Sequence, residues 1–353
     1  MLININPNVS LTPAQAKAKY RFTGECRNHK PLFMIQALKV LKTRSAFAEK
    51  KLCDGPTFSL GLACPATCTF CYVESQLGRH SAILRIMKET GRSFNQIAVE
   101  KEDPLPILRQ ELVDRKGRPK YPEVNDRRVV YSSPLVDVAA NLPTALQTVE
   151  ACKIILDNTH WQIRLLSKFA LLQTVAEKLA PYSDRMIYGF STGTFNDKVA
   201  ASLEQGTSSP TARLRALHWL QDNKFRTFAM ICPSLPQTDY NAFAREAADR
   251  VRVECCEHVW AEVFNLRGRS LKKSCAALVD EGFADEALRL LAVSGKNKAA
   301  WEAYARATFL AHAGVVPPEK LRFLQYVQKS ELEWWRSQES RGAVLLGKAA
   351  HRE

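Results

Sequence analysis

The chain has no run approaching the roughly 20 apolar residues that a membrane-crossing helix needs, so no helical span is expected. Met1–Thr12 carries neither a basic n-region nor an apolar core. No secretory leader is therefore expected, and the expected compartment is cytoplasmic. Internal repeats and low-complexity tracts are absent, as are the phosphate-binding P-loop and the dinucleotide fingerprint. With 46% apolar and 24% charged residues, the composition is that of an ordinary soluble globular chain. It excludes wholesale disorder, a collagen-like repeat and a small disulfide scaffold. The 353 residues suit two domains, or one enlarged α/β domain.

Positive charge is plentiful. Fifty Lys and Arg stand against 36 Asp and Glu, a formal excess of +14. The excess is uneven: residues 1–51 hold ten Lys or Arg and only two acids, Glu25 and Glu49. Such a segment attracts polyanions, because neutralising phosphates releases counterions. A solvated basic face that aids solubility is the alternative.

Composition and periodicity divide the chain into a basic N-terminal extension (1–55), an alternating region (56–275) and a helical C-terminal region (276–353). In the extension, Pro31–Leu41 has helical spacing after a proline start. Thr57–Leu62 reads as a buried strand, Ser81–Thr90 as a helix. Strands are then predicted at Arg128–Ser132, Trp161–Ser167, Met186–Ser191, Arg226–Cys232 and Val259–Phe264. Helices are predicted between them at Leu142–Leu156, Ala170–Leu179, Thr211–Gln221 and Tyr240–Arg252. Strands alternating with helices imply right-handed βαβ units on a parallel sheet. Six such units are too few for a closed eight-stranded barrel, so the expected fold is α/β, an open partial (β/α)6 barrel. Beyond Ser274 the strands are expected to stop, with helices at Ala276–Val293, Lys298–Ala313 and Pro318–Arg336.

Ten cysteines are many for a cytoplasmic chain, where disulfides are rare. Three of them, Cys64, Cys68 and Cys71, lie within eight residues as C-x3-C-x2-C. Three thiolates on one short loop can hold three corners of a [4Fe–4S] cube and leave the fourth iron open to a chelating ligand. Zinc is the competing reading, with Cys53 or His80 as fourth ligand, although neither stands at a familiar spacing. Three unrelated buried thiols are a third. Cys26-x2-His29 and Cys255-Cys256-Glu257-His258 are weaker metal patterns. Trp334–Trp335 could stack on bases, but core packing is the default for such a pair.

The C-x3-C-x2-C spacing, with Phe70 just before the last cysteine, resembles the radical S-adenosylmethionine (SAM) superfamily. Further stretches resemble its spore photoproduct lyase-like branch. Tyr72 follows the last cysteine. Tyr131–Asp137 (YSSPLVD) matches a Ser/Thr-Asp segment, and Leu165–Phe169 (LLSKF) a T-K-S/Y motif. Gly189–Thr192, Leu203–Pro210 and Ala212-Arg213-Leu214 match an S-x-x-T, E-P-G-T-S-S and R-L run. Together the matches span roughly residues 57–235.

The resemblance implies a [4Fe–4S] cluster on Cys64, Cys68 and Cys71, with SAM bound to its open iron. It implies cleavage to a 5′-deoxyadenosyl radical that abstracts hydrogen, and an electron donor such as flavodoxin or ferredoxin. By position, Lys168 and Ser191 would hold polar groups of SAM, and Tyr72 would pack beside it. Arg213 would join them or pair with Glu204. The expected substrate is nucleic acid, DNA before RNA, carrying a modified or damaged pyrimidine. A peptide or small-metabolite substrate, or a non-catalytic metal-stabilised nucleic-acid-binding protein, are the alternatives. Two departures stand out. The branch's hydrogen-donating cysteine is matched here by Ser132 and Ser133, whose O–H bonds are too strong for that task; Cys232 is the candidate substitute. The superfamily's Gly-Gly-Glu segment is also missing.

Overall fold

The structure is a computed structural model that describes residues 3–26, 29–45, 53–77, 79–132, 134–266, 268–294, 298–347 and 350. The chain divides into two compact units. One comprises Met1–Met186 with Glu204–Thr207, the other Ile187–Leu203 with Ser208–Glu353.

The first unit opens with strands β1 (Tyr20–Glu25), β2 (Pro31–Gln36) and β3 (Leu41–Lys42). Next come β4 (Thr57–Phe58), β5 (Gly61–Ala63), β6 (Thr67–Cys68) and β7 (Ala98–Glu102). The last two are β8 (Val129–Ser132) and β9 (Gln162–Ser167). β1, β2, β7 and β5 form one sheet in that order, while β3, β4, β8 and β9 run side by side in a second. In the second, β4, β8 and β9 are parallel, and Thr57, Tyr131 and Arg164 lie in register.

β2 corrects the helix expected over Pro31–Leu41. Six apolar-rich residues carry both helical and strand periods. Pairing with β1 on one side and β7 on the other selects the strand, with Phe33 and Ile35 turned inward. They pack with Val99 of β7 and with Ile83 and Ile86 of helix Ser81–Thr90. That helix forms as expected and ends at Gly91 in the left-handed region, φ 65°. The single strand expected over Thr57–Leu62 is broken into β4 and β5, which join different sheets.

In the second unit the strands are β10 (Met186–Ser191), β12 (Thr227–Ser234), β13 (Cys256–Val263), β14 (Leu321–Tyr326) and β15 (Ala343–Leu346). They lie side by side in that order, all parallel. The intervening β11 (Glu204–Gln205) belongs to the first unit, where it pairs antiparallel with β6. Asn141, Ser209 and Asp239 each accept a backbone N–H at the start of the helices Leu142–Asn158, Pro210–Asp222 and Tyr240–Val251. Such side-chain caps fix where each helix leaves its loop.

Parallel strands form at the six expected places, the first cut down to β4, and the C-terminal third is corrected. β14 occupies the first half of the helix expected over Pro318–Arg336, whose end, Leu332–Arg336, is helical, and β15 follows it. Leu321, Phe323 and Leu324 are buried between neighbouring strands, and a strand covered on both faces reads as a continuous apolar run rather than an alternation. The helix expected over Ala276–Val293 is two, Ser270–Asp280 and Ala284–Ala292, separated at Gly282 with φ 83°. Trp335 is wholly buried, stacks on Phe323 and donates its Nε1–H to Glu302 at 2.5 Å, so it is core. Among the described residues no helix is long and apolar enough to cross a membrane.

His312 is buried in helix Lys298–Ala313, edge-on to Phe243, and neither ring nitrogen has a hydrogen-bond partner. Burial pushes its pKa down to about 4. The folded state therefore holds a neutral imidazole that the unfolded chain would protonate below pH 6.5. The stability this group permits is complete above pH 6.5 and is lost as pH falls through 4, up to about 3 kcal/mol. His312→Met is expected to lose less stability than wild type between pH 7 and pH 4.5 in urea unfolding. Equal losses would show that another group governs acid sensitivity.

Candidate metal and cofactor site

β5 leads directly into Cys64. Gly61 at its start allows this path: a Cβ there would lie 2.7 Å from the Val99 carbonyl oxygen and 2.8 Å from Val136 Cγ2. Cys68 ends β6, Cys71 N–H donates to the Cys68 carbonyl at 3.2 Å, and the short helix Val73–Leu77 follows. Cys71 and Tyr72 rest on the apolar core of the first unit. All three cysteines are free and half-buried.

Three groups grip this loop. Lys30, which immediately precedes β2, is buried and donates from Nζ to the carbonyls of Cys64 at 3.2 Å and Ala66 at 2.7 Å. Asp137 accepts from Ser167 Oγ at 2.6 Å and from Lys168 N–H at 2.8 Å, and its carboxylate bears on Cys64. Tyr72 donates its hydroxyl to the Pro134 carbonyl at 2.7 Å. The segments following β8 and β9 thus meet the cysteine loop. On the other flank, Glu204 of β11 stands opposite Cys68. Glu204 is buried and pairs with Lys168 Nζ at 2.6 Å, and the same ammonium sits 5.3 Å from the centre of the Phe70 ring.

The electrostatics are those of thiols withdrawn from water. Burial pushes Cys64 up to about 12, and the Asp137 carboxylate adds to it. Cys68 is raised well above its usual range by burial and then by Glu204, with Lys168 opposing. Cys71 is raised by burial, while Lys30 opposes. Lys30 is itself lowered by burial and supported by the charges that Cys64, Cys26, Cys68 and Cys71 would carry. A metal that binds here must displace protons. Three thiols are the donor set that iron–sulfur clusters use. Among the described residues no three His, Cys, Asp or Glu are drawn together tightly enough to hold a single ion.

The remaining sequence candidates fall in the second unit. Ser191 ends β10 and donates Oγ–H to the Cys232 carbonyl at 3.1 Å. Arg213 is buried and donates to the carbonyls of Ser191 and Ser208, both at 2.8 Å. Glu204, the other partner considered for Arg213, pairs with Lys168 within the first unit. Cys232 lies on β12 with its thiol 3.8 Å from Glu262 Oε2. The structure thus brings Cys64, Cys68, Cys71, Tyr72 and Lys168 together in one unit, and Ser191, Arg213 and Cys232 in the other. Ser132 is buried with no partner for its hydroxyl, and Ser133 lies outside the described residues.

The weaker metal patterns do not assemble. His29 projects into solvent beside Glu25, Cys255 is exposed, and Cys256 is buried against Gln221 and the Val251 carbonyl. Cys53 lies against Arg164 at 4.0 Å. Sequence reasoning missed Lys30, which stands in no motif, and the pairing of Glu204 with Lys168.

No protein-family model matches the sequence, and no curated protein matches it. Solved structures do. Spore photoproduct lyase complexed with dinucleoside spore photoproduct is 12% identical, with a TM-score of 0.48, and covers 70% of this chain. The match spans 66% of that protein, just under two thirds of its length. A doubly substituted spore photoproduct lyase with bound AdoMet and dinucleoside spore photoproduct is 11% identical, with a TM-score of 0.55. That match covers 90% of this chain and 89% of the other. The chain has the α/β fold of spore photoproduct lyase.

Proposed function

We propose that this chain is a radical SAM enzyme that acts on a modified or damaged pyrimidine in nucleic acid, DNA before RNA. The observation that carries the reading is the loop Cys64–Cys71. It presents three thiols on one turn at the end of a strand, in a fold shared with a spore photoproduct lyase described with AdoMet and dinucleoside spore photoproduct bound. Cys64, Cys68 and Cys71 would hold a [4Fe–4S] cluster. When reduced, that cluster supplies the electron that cleaves SAM to a hydrogen-abstracting 5′-deoxyadenosyl radical.

The chain's own residues do the rest. Lys30 and Asp137 fix the loop on which the cluster would sit. Lys168 offers a point charge for the SAM carboxylate, which would then share the ammonium with Glu204. Tyr72, with its hydroxyl committed to Pro134, contributes its ring. Ser191 and Arg213 brace the end of β10, leaving the serine oxygen lone pairs as acceptors. Cys232 supplies an S–H bond weak enough to return a hydrogen atom, which the Ser132 hydroxyl does not. The +8 over residues 1–51 suits a polyanion, and flavodoxin or ferredoxin would serve as electron donor.

The test is anaerobic purification, reconstitution with iron and sulfide, and addition of dithionite and SAM. The wild type is expected to form 5′-deoxyadenosine, and the Cys64/Cys68/Cys71→Ala variant none. A full cluster that never cleaves SAM, with or without DNA, would reject the reading. Turnover on a peptide or metabolite with no salt-sensitive DNA binding would reject the nucleic-acid part alone.

A further inference from the structure

In the second unit, helices Ser270–Asp280 and Ala284–Ala292 form a hairpin. At its turn Gly282 N–H donates to the Val279 carbonyl at 3.1 Å, and Phe283 N–H to the Leu278 carbonyl at 2.7 Å. Leu278, Cys275, Ala287 and Leu290 are buried. The first helix also packs on helix Asp197–Leu203 of the same unit. The exposed surface of the hairpin is apolar too. Leu288 is 62% exposed, Val279 56% and Leu291 50%. Ala276, Ala284 and Ala292 are exposed with them. Positions 284, 288, 291 and 292 follow the helical period, as do 272, 276 and 279, so each helix carries its exposed residues in one stripe. A single exposed leucine is ordinary. A periodic apolar stripe is not, because a surface helix gives its solvent face to polar and charged residues.

Charge along this hairpin is segregated by end. The sequence at its base, 267–273 and 294–298, holds six Lys or Arg and no acid. The sequence at its tip, 280–286, holds four Asp or Glu and no base. Arg269 and Lys272 are exposed at the base, and Asp280, Glu281 and Asp285 at the tip. Glu286 pairs with Arg289 at 3.1 Å. In the first helix this order is the reverse of what the macrodipole favours. Its first turn has no acid and its last turn no base, while cations crowd its start and carboxylates its end. Local helix stability therefore does not account for the pattern. A contact with a second copy does. A two-fold axis across the hairpin lays two copies antiparallel, with the base of each against the tip of the other. Lys272 and Asp280 each stand four residues from Ala276. An axis passing beside Ala276 thus sets Lys272 of one copy opposite Asp280 of the other. Ala284 and Ala292 stand in the same way about Leu288.

We infer that this hairpin is a self-association surface, on which a second copy of the chain packs antiparallel about a two-fold axis. Leu288 and Leu291 form its apolar centre, and Lys272 meets Asp280 of the other copy. The occupant is a second copy because one surface supplies both signs of charge in the order that a two-fold contact needs. The face is small. Helices of this length and spacing present about 16 by 20 Å, on the order of 300 Å² per copy, against roughly 800 Å² for a standard interface. The dimer is therefore weak, with a Kd on the order of 10–100 µM. The inference does not depend on the radical chemistry proposed for the first unit.

The test is sedimentation equilibrium of the full-length chain from the low to the high micromolar range. The wild type is expected to pass from monomer to dimer and no further. Leu288→Gln/Leu291→Gln should weaken association by at least about tenfold. Both side chains are exposed, so urea unfolding at low concentration should be unchanged. Lys272→Glu and Asp280→Lys each set like charges against one another twice per dimer, and each should weaken association by about tenfold. Neither lowers the stability of the monomer, because each suits the dipole of its own helix better than the native residue does. Lys272→Glu/Asp280→Lys in one chain restores opposite charges across the axis and should recover the wild-type affinity. A mixture of the two single variants should associate more tightly than either alone. The wild-type measurement needs no variant to fold. A chain that stays monomeric throughout, growth beyond the dimer, a dimer indifferent to Leu288→Gln/Leu291→Gln, or a double charge swap that recovers nothing would each overturn the inference.

Discussion

Lys168→Met is expected to destabilise the fold by about 3–5 kcal/mol, because it removes the ammonium paired with the buried carboxylate of Glu204. The Glu204 side chain is 4% exposed and the Lys168 side chain 16%, so solvent screens this pair far less than a surface ion pair. Glu204 cannot move away readily, since β11 ties it to β6 opposite Cys68. Glu204→Gln should cost less, because the partly exposed lysine keeps some access to water and to the Phe70 ring. The double variant Lys168→Met/Glu204→Gln removes both charges and should recover most of the loss, which urea unfolding of the four proteins in a double-mutant cycle would measure. Additive losses would show that the pair is not coupled. The double variant also isolates the lysine's part in cofactor binding. If its ammonium holds the SAM carboxylate, the refolded double variant still fails to make 5′-deoxyadenosine, despite a full cluster. Normal cleavage by that variant would remove Lys168 from the site and leave it a structural partner of Glu204.

What the sequence made legible follows from the range of each signal. The alternation of strands and helices from Val129 to Val263 could be read because each element is long enough to show its own period and is bounded by caps such as Asn141, Ser209 and Asp239. Pro31–Gln36 and Leu321–Tyr326 were misread as helix because six apolar-rich residues do not separate the two periods. Sheet neighbours distant in sequence decided them. Cys64, Cys68 and Cys71 were legible since one short loop carries the whole pattern. Lys30 was not: its contact with Cys64 spans 34 residues and exists only because β2 and β5 flank the same strand, β7. The pairing of Glu204 with Lys168 was not legible for the same reason. A two-residue strand pairing with β6 has no signature in the sequence, yet it brings the carboxylate to the Lys168 ammonium.

Lys30 offers the sharpest separation between holding the protein together and holding its metal. Its ammonium satisfies two loop carbonyls, those of Cys64 and Ala66, and hydrogen bonds to a charged group contribute roughly 1.5–3 kcal/mol each. Lys30→Met keeps the buried aliphatic stem and removes both bonds, so the loss falls on the position of the cysteine loop rather than on the core beneath it. Bound iron stabilises the loop conformation that binds it, by linkage. A loop less favourably placed by about 3 kcal/mol should therefore hold a cluster about a hundredfold less tightly, at one factor of ten per 1.4 kcal/mol. The expected result is rapid loss of iron and labile sulfide to a chelator, with the far-ultraviolet spectrum of the apoprotein unchanged. Lys30→Arg restores the charge but brings a larger, planar donor to a site where Nζ fits between two carbonyls, and should rescue in part. Two further outcomes discriminate. If Lys30→Met retains its cluster as wild type does, the lysine is a core residue whose proximity to the thiols has no consequence for metal. If the apoprotein itself unfolds, the two hydrogen bonds stabilise the whole first unit, and the cysteine loop depends on Asp137 and Tyr72 for its shape instead.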